Sequence, residues 1–270
     1  MFRFLKITKA LIVREFLIDK SYKSSFIFSQ LNIIFTIMLF FFISKLIGQS
    51  GTSFVKGSAD NYFSFVLIGI ASSSIVWAGL QTIPDYIRNE QLTGTLEVVL
   101  ASSVKPTSIA YAIAINTMIY SFFMFLLYVI IGVIFFGIKL NINFSSLFIV
   151  LLMTAAYSTG FGLMGGGFIL IFKKWNPISW IITNVFRLLG GVYFPIAVLP
   201  KWLHKVSDFL PITYSLNAAR KSMFYAQSII DIKEELIILL IFSILICSGG
   251  HIFFNWSLKK AKLKGLLASY

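Results

Sequence analysis

The amino-acid sequence predicts an all-α integral membrane protein with six transmembrane helices. Two observations carry that prediction. The 270 residues are 58% hydrophobic and only 12% charged, with a mean hydropathy of +0.88. Predominantly apolar stretches recur, each with the roughly 20 residues a helix needs to cross a hydrocarbon core of about 30 Å. They are read over 26–47, 62–83, 109–136, 147–172, 178–194 and 236–254. A membrane β-barrel would instead show short alternating stretches, and backbone groups in lipid must be satisfied within each helix. No stretch between spans exceeds about 40 residues, too few for a separate soluble domain, so residues 1–270 read as one transmembrane domain.

Residues 1–25 carry Arg3, Lys6, Lys9 and Arg14 on one helical arc, with Phe4, Leu5, Leu11 and Ile12 roughly opposite. That pattern predicts a helix lying at the membrane interface. The first span is 22 residues long and Lys45-Leu-Ile-Gly-Gln offers no small-residue cleavage site, so it reads as a retained span, not a signal peptide. A Gly/Ser-rich loop over 48–61 follows it. Between spans 2 and 3, residues 84–106 are of mixed polarity. Arg88 to Gln91 continue span 2, Thr93-Gly94 breaks the helix, and 95–101 forms a second short helix with Leu96, Val99 and Leu100 on one face. Pro106 cannot continue it. Between spans 5 and 6, residues 195–233 are aromatic yet interrupted by Pro195, Pro200 and Pro211. This stretch is too polar for a span and too apolar for a solvated loop.

The net charge of +13 comes from 23 Lys and Arg against 10 Asp and Glu. The basic residues flank apolar stretches, as orientation signals do, and nucleic acid is not an expected partner. With the N-terminus inside, 14 of the 23 lie on the cytoplasmic side. That bias places both termini in the cytoplasm and the chain in the cell membrane. Cys247 is the single cysteine, which excludes intramolecular disulfides and a multi-cysteine metal site. The chain lacks the G-x-x-x-x-G-K-[ST] phosphate loop, H-E-x-x-H and G-x-S-x-G, so no catalytic residue and no metal ligand is nominated. Arg187 lies inside span 5, one turn after Asn184. A charge at that depth costs roughly 2.5–3.5 kcal/mol on insertion scales and should face a partner or a wet path. Asn184 and Arg187 are therefore candidate pathway residues, with a structurally paired arginine as the plainer alternative. Gly162 and Gly166 in span 4 have G-x-x-x-G spacing, read as close packing within the subunit.

The stretch IRNEQLTGTLEVVLASSVKP resembles the G-T-L-E segment, preceded by an Arg, of the permease subunits of bacterial ABC exporters, the type-2 ABC transporter membrane domains. GGVYFPIAVLPKWLHKVSDFLPITYSLNAAR resembles the segment between the last two spans of the same family: a small-residue pair, F-P, L-P-x-W-L, P-[IL]-T-Y and a closing Arg. The two occur in the expected order, and the resemblance covers essentially the whole chain. One departure is that Val104 and Lys105 intervene between Ser103 and Pro106.

The resemblance implies a non-catalytic permease that forms half of a pathway and pairs with a second permease, alike or related. Separate cytoplasmic ABC ATPase subunits use ATP and Mg; this chain binds no cofactor. The short helix over 95–101 becomes a cytoplasmic coupling helix, with Arg88, Glu90, Thr93, Gly94, Thr95 and Glu97 as coupling residues. The segment between spans 5 and 6 becomes a pair of re-entrant outer helices, with Tyr193, Pro195, Pro200, Trp202, Pro211, Tyr214 and Arg220 at an outer gate. The cargo would be an amphiphile such as a drug, antibiotic, lipid or glycan. From the residues alone, a membrane enzyme acting on lipid and a non-catalytic scaffold or channel stay open.

Overall fold

The computed structural model describes residues 8–10, 13–14, 17, 21, 23–48, 55, 59, 61–101, 104–172 and 176–263. Among them every regular element is helical. In chain order these are α1 (Lys23–Ile47), α2 (Tyr62–Leu92), α3 (Leu96–Ala101), α4 (Pro106–Phe136), α5 (Phe144–Phe172), α6 (Asn176–Leu189), a 3₁₀ turn (Ile196–Val198), α7 (Lys201–Asp208), α8 (Pro211–Phe224) and α9 (Lys233–Leu263). The N-terminal interfacial helix falls largely outside the described residues; Thr8–Ala10, Val13, Arg14, Leu17 and Ser21 within it are helical. Most of the 48–61 loop, the basic turn at 173–175 and Lys264 also lie outside them.

Five helices, α1, α2, α4, α5 and α9, are long and apolar enough to cross a membrane. The remaining expected span, span 5 over 178–194, differs. Its helix, α6, has 14 residues, about 21 Å at 1.5 Å per residue, well short of a bilayer core. Apolar character continues past it, but Gly191 turns at φ +82°, a left-handed conformation that ends a helix.

Helix α2 is the enclosed element: 72% of its most apolar window is buried, against 11% for α1 and 22% for α9. Helix α5 lies between α2 and α9, and small residues set both contacts. A Cβ at Gly162 would run into the Gly79 carbonyl oxygen, and one at Gly79 into Ser158. On the other side, a Cβ at Gly250 would meet the Gly160 carbonyl, and one at Gly160 would meet backbone at Ile246 and Cys247. The expected packing role of the span-4 glycines is met, within the one chain. Close backbone approach lets side chains bond across: Ser243 Oγ donates to Met153 O at 3.1 Å and Cys247 Sγ to Ala156 O at 2.9 Å. Tyr157, fully buried on α5, meets Ser215 Oγ of α8 at 3.3 Å.

The bundle has two distinct ends. One, the basic end, holds Arg14, α3, the start of α4 and the C-terminal turns of α9. The other, the hairpin end, holds 137–143, the segment from Gly190 through α8, and 225–232. There Asn141 N–H donates to Met223 O and Asn143 N–H to Ser222 O, both at 2.9 Å, and Ser146 Oγ donates to Gln227 O at 2.9 Å. These bonds tie the α4–α5 link to the end of α8. Ser228 gives its hydroxyl and its N–H to Asp231, which holds that carboxyl below its ordinary range.

The glycine contacts predict an asymmetry between neighbouring substitutions. Gly162→Val forces its side chain against the Gly79 carbonyl and should lower the melting temperature of the detergent-purified protein by several degrees, as a destabilisation of about 1–3 kcal/mol or more would. Gly249→Ala meets only the flexible end of Met164, at 3.2 Å, and should leave the melting temperature almost unchanged.

Candidate functional site

At the basic end, α2 stops because Gly94 adopts φ +71°. Thr95 N–H donates to Glu90 O at 3.0 Å and Gly94 N–H to Gln91 O at 3.2 Å. This is the paired closure of a Schellman turn, in which a left-handed glycine satisfies the last carbonyls of the helix. Thr93 Oγ1 donates to Asn89 O at 2.9 Å and lies 2.8 Å from Thr95 Oγ1. Thr95 then starts α3, its carbonyl accepting from Val99 N–H at 3.0 Å. The short helix expected over 95–101 is present as Leu96–Ala101. Its predicted apolar face points inward: Leu96, Val99 and Leu100 line an apolar cavity of about 30 Å³ with Ile109, Leu170 and Phe254. Thr93, Gly94, Thr95, Glu97 and Val98 face outward and are exposed. Pro106 opens α4 at its first turn, where a missing N–H costs nothing.

Two of the nominated residues here are not on the outward face. Glu90 is buried, 7% exposed. Its Oε2 accepts from the Thr95 hydroxyl, and its Oε1 lies 3.5 Å from Arg14 Nη1. The Arg14 guanidinium also sits 5.8 Å from the centre of the Tyr86 ring. One carboxylate thus joins the N-terminal segment, the end of α2 and the start of α3. Arg88 is half-buried, beside Asp85. The sequence could not reveal the Glu90–Arg14 pair, because it is made across the fold.

At mid-depth, α2 and α6 run antiparallel along a polar seam. Ser179, Thr183 and Arg187 recur at i, i+4, i+8 on α6, facing Trp77 and Gln81 at i, i+4 on α2. Gln81 Nε2 donates to Ser179 Oγ at 2.8 Å, and the Arg187 guanidinium lies 5.8 Å from the Trp77 ring centre. Gln81 Oε1 and Thr183 Oγ1 are buried without a hydrogen-bond partner. Asn184, by contrast, turns its amide back to Trp180 O at 2.8 Å. Sequence reading missed Gln81 and Thr183, although a glutamine inside an apolar span is the available signal.

At the hairpin end, the three prolines act as backbone punctuation. Pro195 caps the 3₁₀ turn, Pro200 caps α7 and Pro211 occupies the first turn of α8. Helix α7 is exposed over most of its surface. Ser207 is fully buried and donates to Leu189 O at 2.7 Å, whereas Trp202, Val206 and Phe209 at i, i+4, i+7 are exposed. Lys201, Lys205 and Asp208 are exposed beside them, a mixture of apolar and charged side chains that suits a membrane–water boundary. Tyr214 donates to Asp208 O at 2.9 Å, and Tyr193 stacks on Phe40 of α1 with ring centres 5.3 Å apart.

Arg220 is the centre of this end. It is 3% exposed, yet no carboxylate among the described residues pairs with it. Its Nη2 donates to three backbone carbonyls: Gly191 O at 2.9 Å, Phe65 O at 3.1 Å and Val192 O at 3.4 Å. The guanidinium carbon stands 3.4 Å from the centre of the Phe65 ring. Cation–π attraction of about 2 kcal/mol or more when desolvated and charge-assisted bonds of roughly 1.5–3 kcal/mol each work against the cost of burying the charge, while Nε stays buried without a hydrogen-bond partner. Gly69 makes room, since a Cβ there would meet Val192 O and come within 2.8 Å of Nη2.

The turn geometry at Gly94 yields a clean test, because nothing lies within 4 Å of a Cβ built there. Gly94→Ala suffers only the left-handed backbone cost of about 1–2 kcal/mol. The Thr95 amide should then exchange with deuterium roughly 5- to 30-fold faster, with the α5 amides unchanged.

The ABC-2 type transporter family matches residues 7–224, a stretch that includes both the α2–α3 turn and the hairpin through Arg220. No curated protein sequence matches the chain. The match covers well over half of the sequence and both segments singled out above, so the chain is a member of the ABC-2 type transporter family of membrane permeases.

Proposed function

We propose that the chain is the permease subunit of an ATP-driven exporter, forming half of a pathway that carries an amphiphile outward on ATP hydrolysed by a separate subunit. Family membership supports a transport permease of an ABC system, and five apolar helices support a multi-pass membrane protein. The observation that carries the finer reading is the outward face of α3. A rigid, glycine-turned knob presents Glu97, Val98 and the Thr93–Thr95 turn as exposed groups, while its apolar face is wedged into the bundle. Such a knob suits a cleft on a cytoplasmic ATPase, and Glu97 can make a charge-assisted bond there. Thr93, Gly94, Thr95 and Glu97 keep the role of contact residues, as does the half-buried Arg88, while Glu90 holds the knob in place from behind.

On this reading the basic end is cytoplasmic, and both termini lie there. Helix α6 crosses only part of the bilayer and the Gly190–Leu210 segment completes the passage. Helices α7 and α8 then form a re-entrant outer gate, with Tyr193, Pro195, Pro200, Trp202, Pro211, Tyr214 and Arg220 shaping it. Exposed Trp202 and Val206 beside exposed Lys201 and Lys205 on α7 support a place at the membrane–water boundary. The seam of Gln81, Ser179, Thr183 and Arg187 gives a pathway wall its polar side. Buried acceptors without partners suit a cargo head group, and the Arg187 cation would favour an anionic one. A second permease copy, identical or related, would complete the pathway.

Charge reversal at Glu97 tests the coupling role. Glu97→Lys should insert and fold normally, because the side chain is exposed. It should reduce the ATPase turnover of the reconstituted permease–ATPase complex at least about tenfold, the loss of one charge-assisted contact of 1.4 kcal/mol or more. Unchanged turnover in an intact complex would place the ATPase contact elsewhere.

A further inference from the structure

We infer that Arg220 is a positioning residue that ties the outer hairpin to α2, so that displacement of the basic end of α2 is delivered to the hairpin at the other end of the protein. This rests on the exporter reading above, which supplies the motor at the basic end.

Helix α2 makes hydrogen bonds at both sites. Glu90 near its end is held to α3 through the Thr95 hydroxyl. Phe65 near its start is held to Arg220 by its carbonyl and by its ring. Roughly 37 Å of helix separates the two residues at 1.5 Å per residue. The helix is continuous over that length. Pro84 contributes no N–H to its ladder, but it is buried against the packed core.

At the hairpin, a single guanidinium joins three pieces of chain. It grips the opening turn through Gly191 and Val192, the start of α2 through Phe65, and α8 because it belongs to that helix. All three acceptors are backbone oxygens, so the grip holds the chain path itself and not a side chain that could rotate away. The close approach is built in by Gly69 on α2. Glycine at 190 serves the same compactness, since a Cβ there would run into Ile212 of α8. A lysine could reach these oxygens as a point charge but could not stack its planar face on Phe65.

A purely structural arginine would do no more than hold the fold together. Nucleotide-driven movement separates the two roles. The permease would be made in a Cys247→Ser background and reconstituted with its ATPase in nanodiscs. Spin-label distances would be read without nucleotide and after trapping with ATP and vanadate. One label pair, at Asn89 and Lys259, reports the basic end; a second, at Lys139 and Lys201, reports the hairpin. All four side chains are exposed. In the otherwise native chain both pairs should shift on trapping. In Arg220→Gln the Asn89–Lys259 shift should persist while the Lys139–Lys201 shift falls at least about threefold, with Arg220→Lys in between.

Equal hairpin shifts in the native and Arg220→Gln chains would overturn the proposal. If both pairs fail to move in the native chain, the motor reading falls and the proposal with it. If Arg220→Gln does not assemble, Gly69→Ala supplies the test. It pushes the hairpin opening and the Arg220 guanidinium off α2, and must reproduce the selective loss at the hairpin pair. A normal hairpin shift in an assembled Gly69→Ala complex would likewise overturn the proposal.

Discussion

A buried guanidinium held by backbone carbonyls, with no carboxylate beside it among the described residues, sets the geometry of one end of this protein. Burying a charge in an apolar bundle is costly unless bonds to it offset the lost water. Arg220 draws the opening turn of the hairpin and the first turns of α2 onto its Nη2, with the Phe65 ring as a floor, while its Nε stays buried without a hydrogen-bond partner. Several other features at that end follow from this constraint. Gly69 must lack a side chain, Gly191 must turn left-handed, and α6 must end early enough for its C-terminal carbonyls to reach α7.

A second constraint runs down the middle. Helices in lipid gain nothing hydrophobic by leaving lipid for one another, so contact depends on close packing and polar bonds. Small residues on α5 supply the first and Ser243 and Cys247 on α9 the second. Helix α2 is thereby fixed along α5 while α1, α4 and α9 keep broad apolar faces outward. The same close contact is what would let α2 act as one body between Glu90 and Phe65.

Much of this was legible from residue order. Thr93-Gly94 and the Leu96, Val99, Leu100 spacing marked the turn and short helix, because left-handed glycine and helical periodicity are local physics. Pro195, Pro200 and Pro211 marked the breaks in the hairpin for the same reason. The length of α6 was misjudged. Hydropathy stays high through Gly190–Phe194, and an apolar window does not register the backbone angle at Gly191. Glu90 was grouped with exposed neighbours, since its partners Arg14 and Thr95 meet it only in the folded chain. Arg220 stood out as the closing arginine of a family-like segment. Its three carbonyl partners left no trace in the sequence, because any residue type carries a backbone oxygen. Gln81 and Thr183 were overlooked beside the more conspicuous Arg187, yet they carry the buried acceptors of the α2–α6 seam.

On the proposed function, energy enters through a few exposed side chains on the glycine-turned knob at the outward face of α3. Amide hydrogen exchange of the reconstituted permease, with and without its ATPase subunit, addresses that assignment directly. The account predicts slowed exchange concentrated over residues 93–105 when the ATPase is bound, with the hairpin amides at 191–210 little changed by docking alone. Exchange over 93–105 that is indifferent to the ATPase, with protection appearing elsewhere on the chain, would contradict it.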